Sequence, residues 1–511
     1  MSETLTHRTV KNTIYSLIGF VWPLVLSFVA TPIIIRGLGS SRFGFFALLN
    51  STLTLFGLLD FGISYTFTKK LSENREDQSS SDLSAIFSSS TILYFILGFV
   101  VMLAFLFLPS VFKVLFKIPD GYISSYSLAF FILGVVFLMK MLTVTISLIP
   151  YSLQKQGIPT KVSLFNNALL QLGSIAVIKT GHGIMGLLVL QLISAAFLLL
   201  SYYFIWHRIA PSLKFIFVFP KSVLKTISQQ GFWVFLSNTM GNILAQADKF
   251  VLGAIWGPVA VGYYSAAQML PEKISATAFA LSHGFFPIFS EASQGQSSTE
   301  KVKTIFRRSL RIITIITGGL TVLVLVFGYS FVKFWISKEF ADQGMLAILF
   351  LGVTYFLLSF NSFFNSFLSG LHALKFLALS ALITAVVDLI FMVILIPKFG
   401  LNGAAFAYML SGIPILIILY YIEKRYLSSK QRDIFTYYFK VFGQVLFTAI
   451  ITYFAATLLF VPFVSGLTYV MVFGAATFIG YILLIWLFGF YSEEDYQIVK
   501  NYLSKFVYYF K

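Results

Sequence analysis

The sequence predicts an all-α, polytopic membrane protein of about 14 transmembrane helices. Three observations carry that reading. Apolar stretches of roughly 20 to 30 residues fill the chain almost from end to end, and about 20 residues at ~1.5 Å rise span the ~30 Å hydrocarbon core of a bilayer. Of 511 residues, 58% are hydrophobic and only 11% are charged; a soluble domain carries about 25% charged residues. Mean hydropathy is +0.88. No segment between apolar stretches exceeds about 25 residues, which leaves no room for a soluble catalytic domain.

The first span covers residues 12–35. It lacks a small-residue cleavage site and is long enough to remain as an uncleaved span. The next five lie at 42–68, 84–109, 122–150, 160–179 and 183–207. A second set of six follows at 226–256, 259–289, 304–330, 343–370, 375–397 and 402–423. Spans 13 and 14 lie at 437–461 and 466–490, and a tail of 491–511 ends the chain. A count of twelve or thirteen is the alternative, with one of the last two lying on the membrane.

The loops alternate in charge. One side carries the N-terminus, Lys69, Lys70, Lys155, Lys161, Arg208, Lys214, Lys301, Lys303, Arg307, Arg308, Lys424, Arg425 and the tail. That side holds about 25 Lys and Arg, against about 8 on the other, and the positive-inside rule makes it cytoplasmic. Both termini are then cytoplasmic. The net charge of +17 is therefore read as topology and not as a nucleic-acid footprint. Cys is absent, which excludes disulfides, thiolate nucleophiles and Cys metal sites. His7, His182, His207, His283 and His372 share no ligand spacing, so no metal is expected.

Two stretches 218 positions apart look alike. Gly39, Phe43-Gly44 and Phe45-Phe46 correspond to Gly257, Val261-Gly262 and Tyr263-Tyr264. Leu71-Ser72-Glu73 corresponds to Phe289-Ser290-Glu291, and Gly183/Gly186 to Gly400/Gly403 one residue off that offset. Spans 1–6 and 7–12 read as copies. An even number of spans gives the copies one orientation, a parallel repeat of the kind found in alternating-access transporters. The expected domains are an N-lobe over 1–210, a C-lobe over 211–425, appended helices over 426–490 and a cytoplasmic tail over 491–511.

The runs Thr31-Pro32, Arg36-Gly37-Leu38-Gly39, Phe43-Gly44 and Leu58-Leu59-Asp60-Phe61-Gly62, with Asp248-Lys249-Phe250-Val251-Leu252-Gly253, Val261-Gly262-Tyr263-Tyr264 and Phe286-Pro287, resemble the signatures of the polysaccharide transporter family. That family holds the Wzx-type O-antigen and capsule flippases of the multidrug/oligosaccharidyl-lipid/polysaccharide exporter superfamily. The resemblance implies two six-helix lobes around a cavity, with two further helices at the side. It also implies flipping of an undecaprenyl-diphosphate-linked oligosaccharide between leaflets of a bacterial inner membrane. No cofactor is implied beyond an H+ or Na+ gradient. The other expected partners are membrane lipid and the polymerase and glycosyltransferases of the pathway. The repeat makes a monomer the expected state.

Ionisable groups in hydrocarbon cost several kcal/mol, so each marks a cavity or a partner. Lys140, Lys249 and Lys273 are candidates for gripping a diphosphate, because an ammonium binds that dense anion as a point charge. Asn242 and Gln246 share a face with Lys249; Gln268 shares one with Glu272; Arg36 lies near the external mouth. Asp60, Asp248 and Glu272 are candidates for the coupling ion, since a carboxyl group at low dielectric exchanges a proton near neutral pH. Static ion pairing and interface anchoring compete with these roles. Asp388 reads as a structural hydrogen-bonding group, and the serine stripe of span 10 as helix packing. Pro23, Pro32, Pro271, Pro287 and Pro414 read as kinks.

Three other functions stand beside the flippase reading. A drug or cation antiporter of the same superfamily prefers an anionic lumen, against three lysines here. A peptidoglycan-precursor flippase differs in its glycan. A membrane glycosyltransferase needs an acidic motif, and only 19 Asp and Glu are present, several of them in Glu73-Asn74-Arg75-Glu76-Asp77.

Overall fold

The structure, a computed structural model, describes residues 5–57, 60–73, 81–116, 120–153, 155, 157–217, 221–291, 299–371, 373–427 and 433–490. The acidic loop at 74–77, His372 and the 491–511 tail lie outside the described residues. The helices are α1 (Leu5–Phe56), α2 (Ile63–Glu73), α3 (Ser81–Phe116), α4 (Asp120–Ser152), α5 (Gly157–Lys179), α6 (Gly183–Ile209) and α7 (Lys221–Met269). They continue as α8 (Glu272–Glu291), α9 (Thr299–Trp335), α10 (Lys338–Gly370), α11 (Leu374–Leu410), α12 (Ile415–Tyr426), α13 (Asp433–Leu459) and α14 (Leu467–Leu487).

Two of these helices are too long to be one crossing, and a third, no longer than α9, turns back within its length. α1 has 52 residues, α7 has 49 and α11 has 37. At ~1.5 Å per residue the first would run roughly 78 Å, more than twice the ~30 Å apolar core. Each carries a glycine with non-helical dihedrals: Gly39 (φ 72, ψ 172), Gly257 (φ 78, ψ 178) and Gly400 (φ 56, ψ −131). Only glycine adopts such angles without steric cost. At Gly400 the chain doubles back tightly, since a Cβ on Gly403 would sit 2.3 Å from the Leu395 carbonyl oxygen. Among the described residues eleven helical stretches are long and apolar enough to cross a membrane, and dividing the three that hold these glycines gives fourteen, in line with the sequence reading.

The same glycines make the repeat visible in the backbone. Gly39 and Gly257, 218 apart, share their dihedrals to within about 6°, the scatter of one backbone class. Gly183 and Gly400, the other aligned pair, have φ 55 and 56.

Three crossings are interrupted, two of them at prolines that the sequence reads as kinks. The second is broken between Phe56 and Ile63, the eighth between Met269 and Glu272, and the twelfth between Leu410 and Ile415. Pro271 and Pro414 stand at the latter two breaks, each lacking the N–H that would continue the ladder. The chain there uses tighter i→i−3 bonds, such as Ile274 N–H to Pro271 O. Pro23 and Pro32 stay inside the helical run of α1, and Pro287 inside α8. No proline marks the break in the second crossing; its cause is Asp60, below.

The chain forms two compact units, Met1–Gly262 and Tyr263–Lys511. This division follows packing, whereas the lobes expected from the repeat follow sequence correspondence. Within the first unit, Phe67, Leu71, Leu83, Phe87, Ile149 and Trp206 form a buried cluster at one end of the bundle. Within the second, Phe306, Phe360, Phe363 and Phe367 centre a larger aromatic core. The appended helices α13 and α14 pack on α9. Gly318 and Gly319 permit this, because a Cβ there would meet Val445 at 2.5 Å or Tyr481 at 2.9 Å. Small residues let helices approach closely where lipid removes any hydrophobic drive between them.

Candidate functional site

In the first unit the interrupted second crossing is organised by one carboxylate. Phe61 and Gly62 both have left-handed φ, 49 and 74. That leaves the N–H groups at the start of α2 without helical partners. Asp60 Oδ2 accepts the Gly62 N–H at 3.1 Å and the Ser64 hydroxyl at 2.9 Å. Asp60 Oδ1 accepts the hydroxyl of Tyr94, a fully buried residue on α3. Asp60 thus caps α2 and ties it to α3. The Phe61 ring stacks on Phe235 of α7 at 4.9 Å.

On the seventh crossing Lys249 and Gln246 meet. Asn242, Gln246 and Lys249 are all half-buried on α7, and Lys249 Nζ donates to Gln246 Oε1 at 3.4 Å. Asp248, one residue earlier, is fully buried and accepts the Lys249 N–H at 2.7 Å. Adjacent residues differ by about 100° around a helix, so the pair separates into one inward carboxylate and one more open ammonium. Lys140 on α4 and Arg36 on α1 are exposed.

Near the Gly39 and Gly257 kinks two backbones touch. A Cβ on Gly44 would lie 1.7 Å from the Pro258 carbonyl oxygen, and one on Gly262 would lie 2.2 Å from that of Ser40. The contact is nearly self-complementary across the repeat: residues 40–44 of one copy meet 258–262 of the other, each through its glycine.

In the second unit the amide of Gln268, at the end of α7, donates to the Tyr355 hydroxyl of α10 at 2.6 Å. The Tyr355 ring meets Tyr408 of α11 edge-on at 5.9 Å. Gln268 and Ser265 are buried, whereas Glu272 is exposed, so this stripe does not stay on one open face. Lys273 is also exposed. It lines a cavity of about 330 Å³ whose other walls come from α9 and α14, among them Phe327 and Met471. The serine stripe of α10 serves packing: Ser359 bonds back to Tyr355 O at 2.9 Å, and Ser366 reaches Ser282 O of α8 at 2.8 Å. Asp388 is fully buried on α11.

The structure therefore joins Lys249 with Gln246 and gives Asp60 a defined set of donors. It sets Gln268 and Lys273 in different surroundings, one a buried hydrogen bond and the other an apolar cavity. The tyrosine partners were not evident from sequence, because they stand 34 and 87 residues away from Asp60 and Gln268. A buried tyrosine in an apolar helix was the available signal, since its hydroxyl needs a partner. Among the described residues no group of three or more His, Asp or Glu could hold a metal ion.

Comparison with known proteins adds three findings. The profile of the polysaccharide biosynthesis protein family matches residues 9–293, more than half of the chain. A Shigella flexneri protein named "Putative O-antigen transporter" is 22% identical over 426 residues, covering 82% of this chain and 98% of that protein. Among solved structures, the lipid II flippase MurJ in an inward closed conformation superposes with a TM-score of 0.71 at 14% identity, covering 93% of this chain and 98% of that one. An inward-facing multidrug resistance transporter of the MATE family gives 0.65 at 14% identity, covering 81% and 99%. At these identities the structural likeness speaks to the fold.

Proposed function

We propose that this chain, which belongs to the polysaccharide biosynthesis protein family, is a flippase for an undecaprenyl-diphosphate-linked oligosaccharide. It moves the repeat unit from the cytoplasmic to the external leaflet of a bacterial inner membrane, by ion-coupled alternating access with both termini cytoplasmic. The observation that carries this reading is the match to the Shigella flexneri protein named "Putative O-antigen transporter", over 82% of this chain and 98% of that protein. The fold shared with a lipid II flippase supports it.

The residues have distinct parts in this reading. Lys249, with Gln246 and Asn242 on the same face, takes the diphosphate. Lys140 and Lys273 serve the same anion at other points of its path, and Arg36 assists release. Gln268 contributes through Tyr355. Asp60, Asp248 and Glu272 are the coupling carboxylates, with a proton or Na+ as the ion. Asp60 suits that part because its charge holds three donors. Neutralising it by proton or cation weakens all three and loosens the joint between the two halves of the second crossing. The backbone contact through Gly44 and Gly262 is the closed gate at the kink end, and it parts when that end opens.

A leaflet assay tests the function. Cells lacking the protein accumulate diphosphate-linked glycan on the cytoplasmic face, and the intact chain clears it. A Lys249→Ala chain present at normal level clears it about tenfold more slowly. If the deletion strain instead accumulates peptidoglycan precursor, the glycan assignment is wrong.

A further inference from the structure

We infer that residues 211–217, the segment between α6 and α7, form a lipid-surface anchor that binds the anionic headgroup layer beside it. Three independent observations place it there. The first is position. Two helix ends hold the segment: α6 ends at Ile209, and α3 begins at Ser81. The Lys214 N–H donates to Ser84 Oγ at 3.4 Å, and the Ile216 N–H to Ser88 Oγ at 2.8 Å. Ser84 and Ser88 lie in about the first two turns of α3, so the segment sits at an end of that helix and not along its length. Trp206 Nε1 also donates to Leu213 O at 3.0 Å, which pins the start of the segment to the buried end of the bundle.

The second observation is what this pinned backbone leaves uncovered. Leu213 is buried, but Phe215 is 46% exposed and Phe217 is 88% exposed. In an extended chain residues 215 and 217 point to the same side. Two exposed aromatic rings beside the ends of membrane-length helices suit the acyl boundary, as in interfacial segments. The third observation is charge. Arg208, at the end of α6, and Lys214, next to Phe215 in the chain, are exposed, and no Asp or Glu occurs between Asp120 and Asp248. An entirely cationic stretch next to exposed aromatics is complementary to a leaflet of anionic phospholipid. The inference does not depend on the transported substrate.

The chain contains no Cys, so a single Phe217→Cys substitution takes an environment-sensitive thiol probe without background. The labelled full chain is placed in nanodiscs of phosphatidylethanolamine with phosphatidylglycerol, or of phosphatidylcholine alone. Lipids carrying a shallow doxyl group should quench the probe about twofold or more in the anionic discs. Aqueous iodide should reach it poorly there. Lys214→Glu should restore iodide access in anionic discs and change little in neutral ones. Phe215→Cys, labelled the same way, repeats the measurement should the first variant fail to fold. Free iodide access with no doxyl quenching in either disc overturns the inference. So does shielding that appears only in native membranes, which would assign the rings to a protein partner.

Discussion

The second and eighth crossings are copies in backbone, yet they carry different chemistry. Both leave a kink glycine of matched dihedrals, and both are interrupted within the bilayer. At the 218 offset Gln268 corresponds to Asn50. Each of these amides makes an interhelical bond: Gln268 to Tyr355, and Asn50 Oδ1 from Gln191 Nε2 at 3.0 Å. Asp60, by contrast, corresponds to Ala278, which is fully buried in an apolar core. The repeat has kept the glycine hinges and the neutral amide ties. Both breaks carry a carboxylate, but Glu272 of the eighth crossing is exposed, whereas Asp60 of the second accepts three donors. Symmetric parts then define where the backbone bends, and the asymmetric part is where an ion could act.

The largest expected effect tests the symmetric part. Gly44→Val drives a side chain into the Pro258 carbonyl, which cannot rotate away, and should cost ~3 kcal/mol or more and abolish transport. Gly262→Val should do the same against Ser40. Gly241→Ala, with nothing within 4 Å of its Cβ, is the control and should behave as the parent in thermal unfolding. Equal tolerance of Val at 44 and Ala at 241 would remove the backbone contact from the account.

Asp60 tests the asymmetric part. Asp60→Ala strands the buried Tyr94 hydroxyl and the N–H groups of α2, for a loss of about 2–3 kcal/mol. Asp60→Asn keeps an acceptor for Tyr94 and should lose less stability. It should still abolish the dependence of transport on the ion gradient. A transport rate in the Asn variant that still follows the gradient moves the coupling role to Asp248 or Glu272.

Lys249→Ala should lower transport about tenfold, one lost charge–phosphate contact, with thermal stability unchanged within ~0.5 kcal/mol. Lys273→Ala sharpens the contrast between the units. Its surroundings are an apolar cavity walled by α9 and α14, so a different kinetic signature is expected, a raised KM with kcat retained. The smallest effect belongs to the neutral tie. A double-mutant cycle of Gln268→Leu with Tyr355→Phe should return a coupling of ~0.6 kcal/mol, the average for hydrogen bonds between membrane helices. A coupling above ~2 kcal/mol would mean that this tie too carries function.

Much of this molecule was legible in its sequence because lipid imposes a severe rule. Every backbone polar group in the bilayer must be satisfied within its own helix, so length and hydropathy alone gave the fourteen crossings, and the spaced glycines gave the repeat. The stripe of Asn242, Gln246 and Lys249 was legible for the same reason, since positions three and four apart share a helix face. Contacts between helices were decided only in three dimensions. No periodicity links Asp60 to Tyr94 or Gln268 to Tyr355. Nor does it say that Gly44 meets Pro258, that Asp248 turns inward while Lys249 stays more open, or that Lys273 faces α9 and α14. Packing between helices is set by the shapes of distant residues, and a one-dimensional pattern reports only which face of a helix is polar, not what that face will meet.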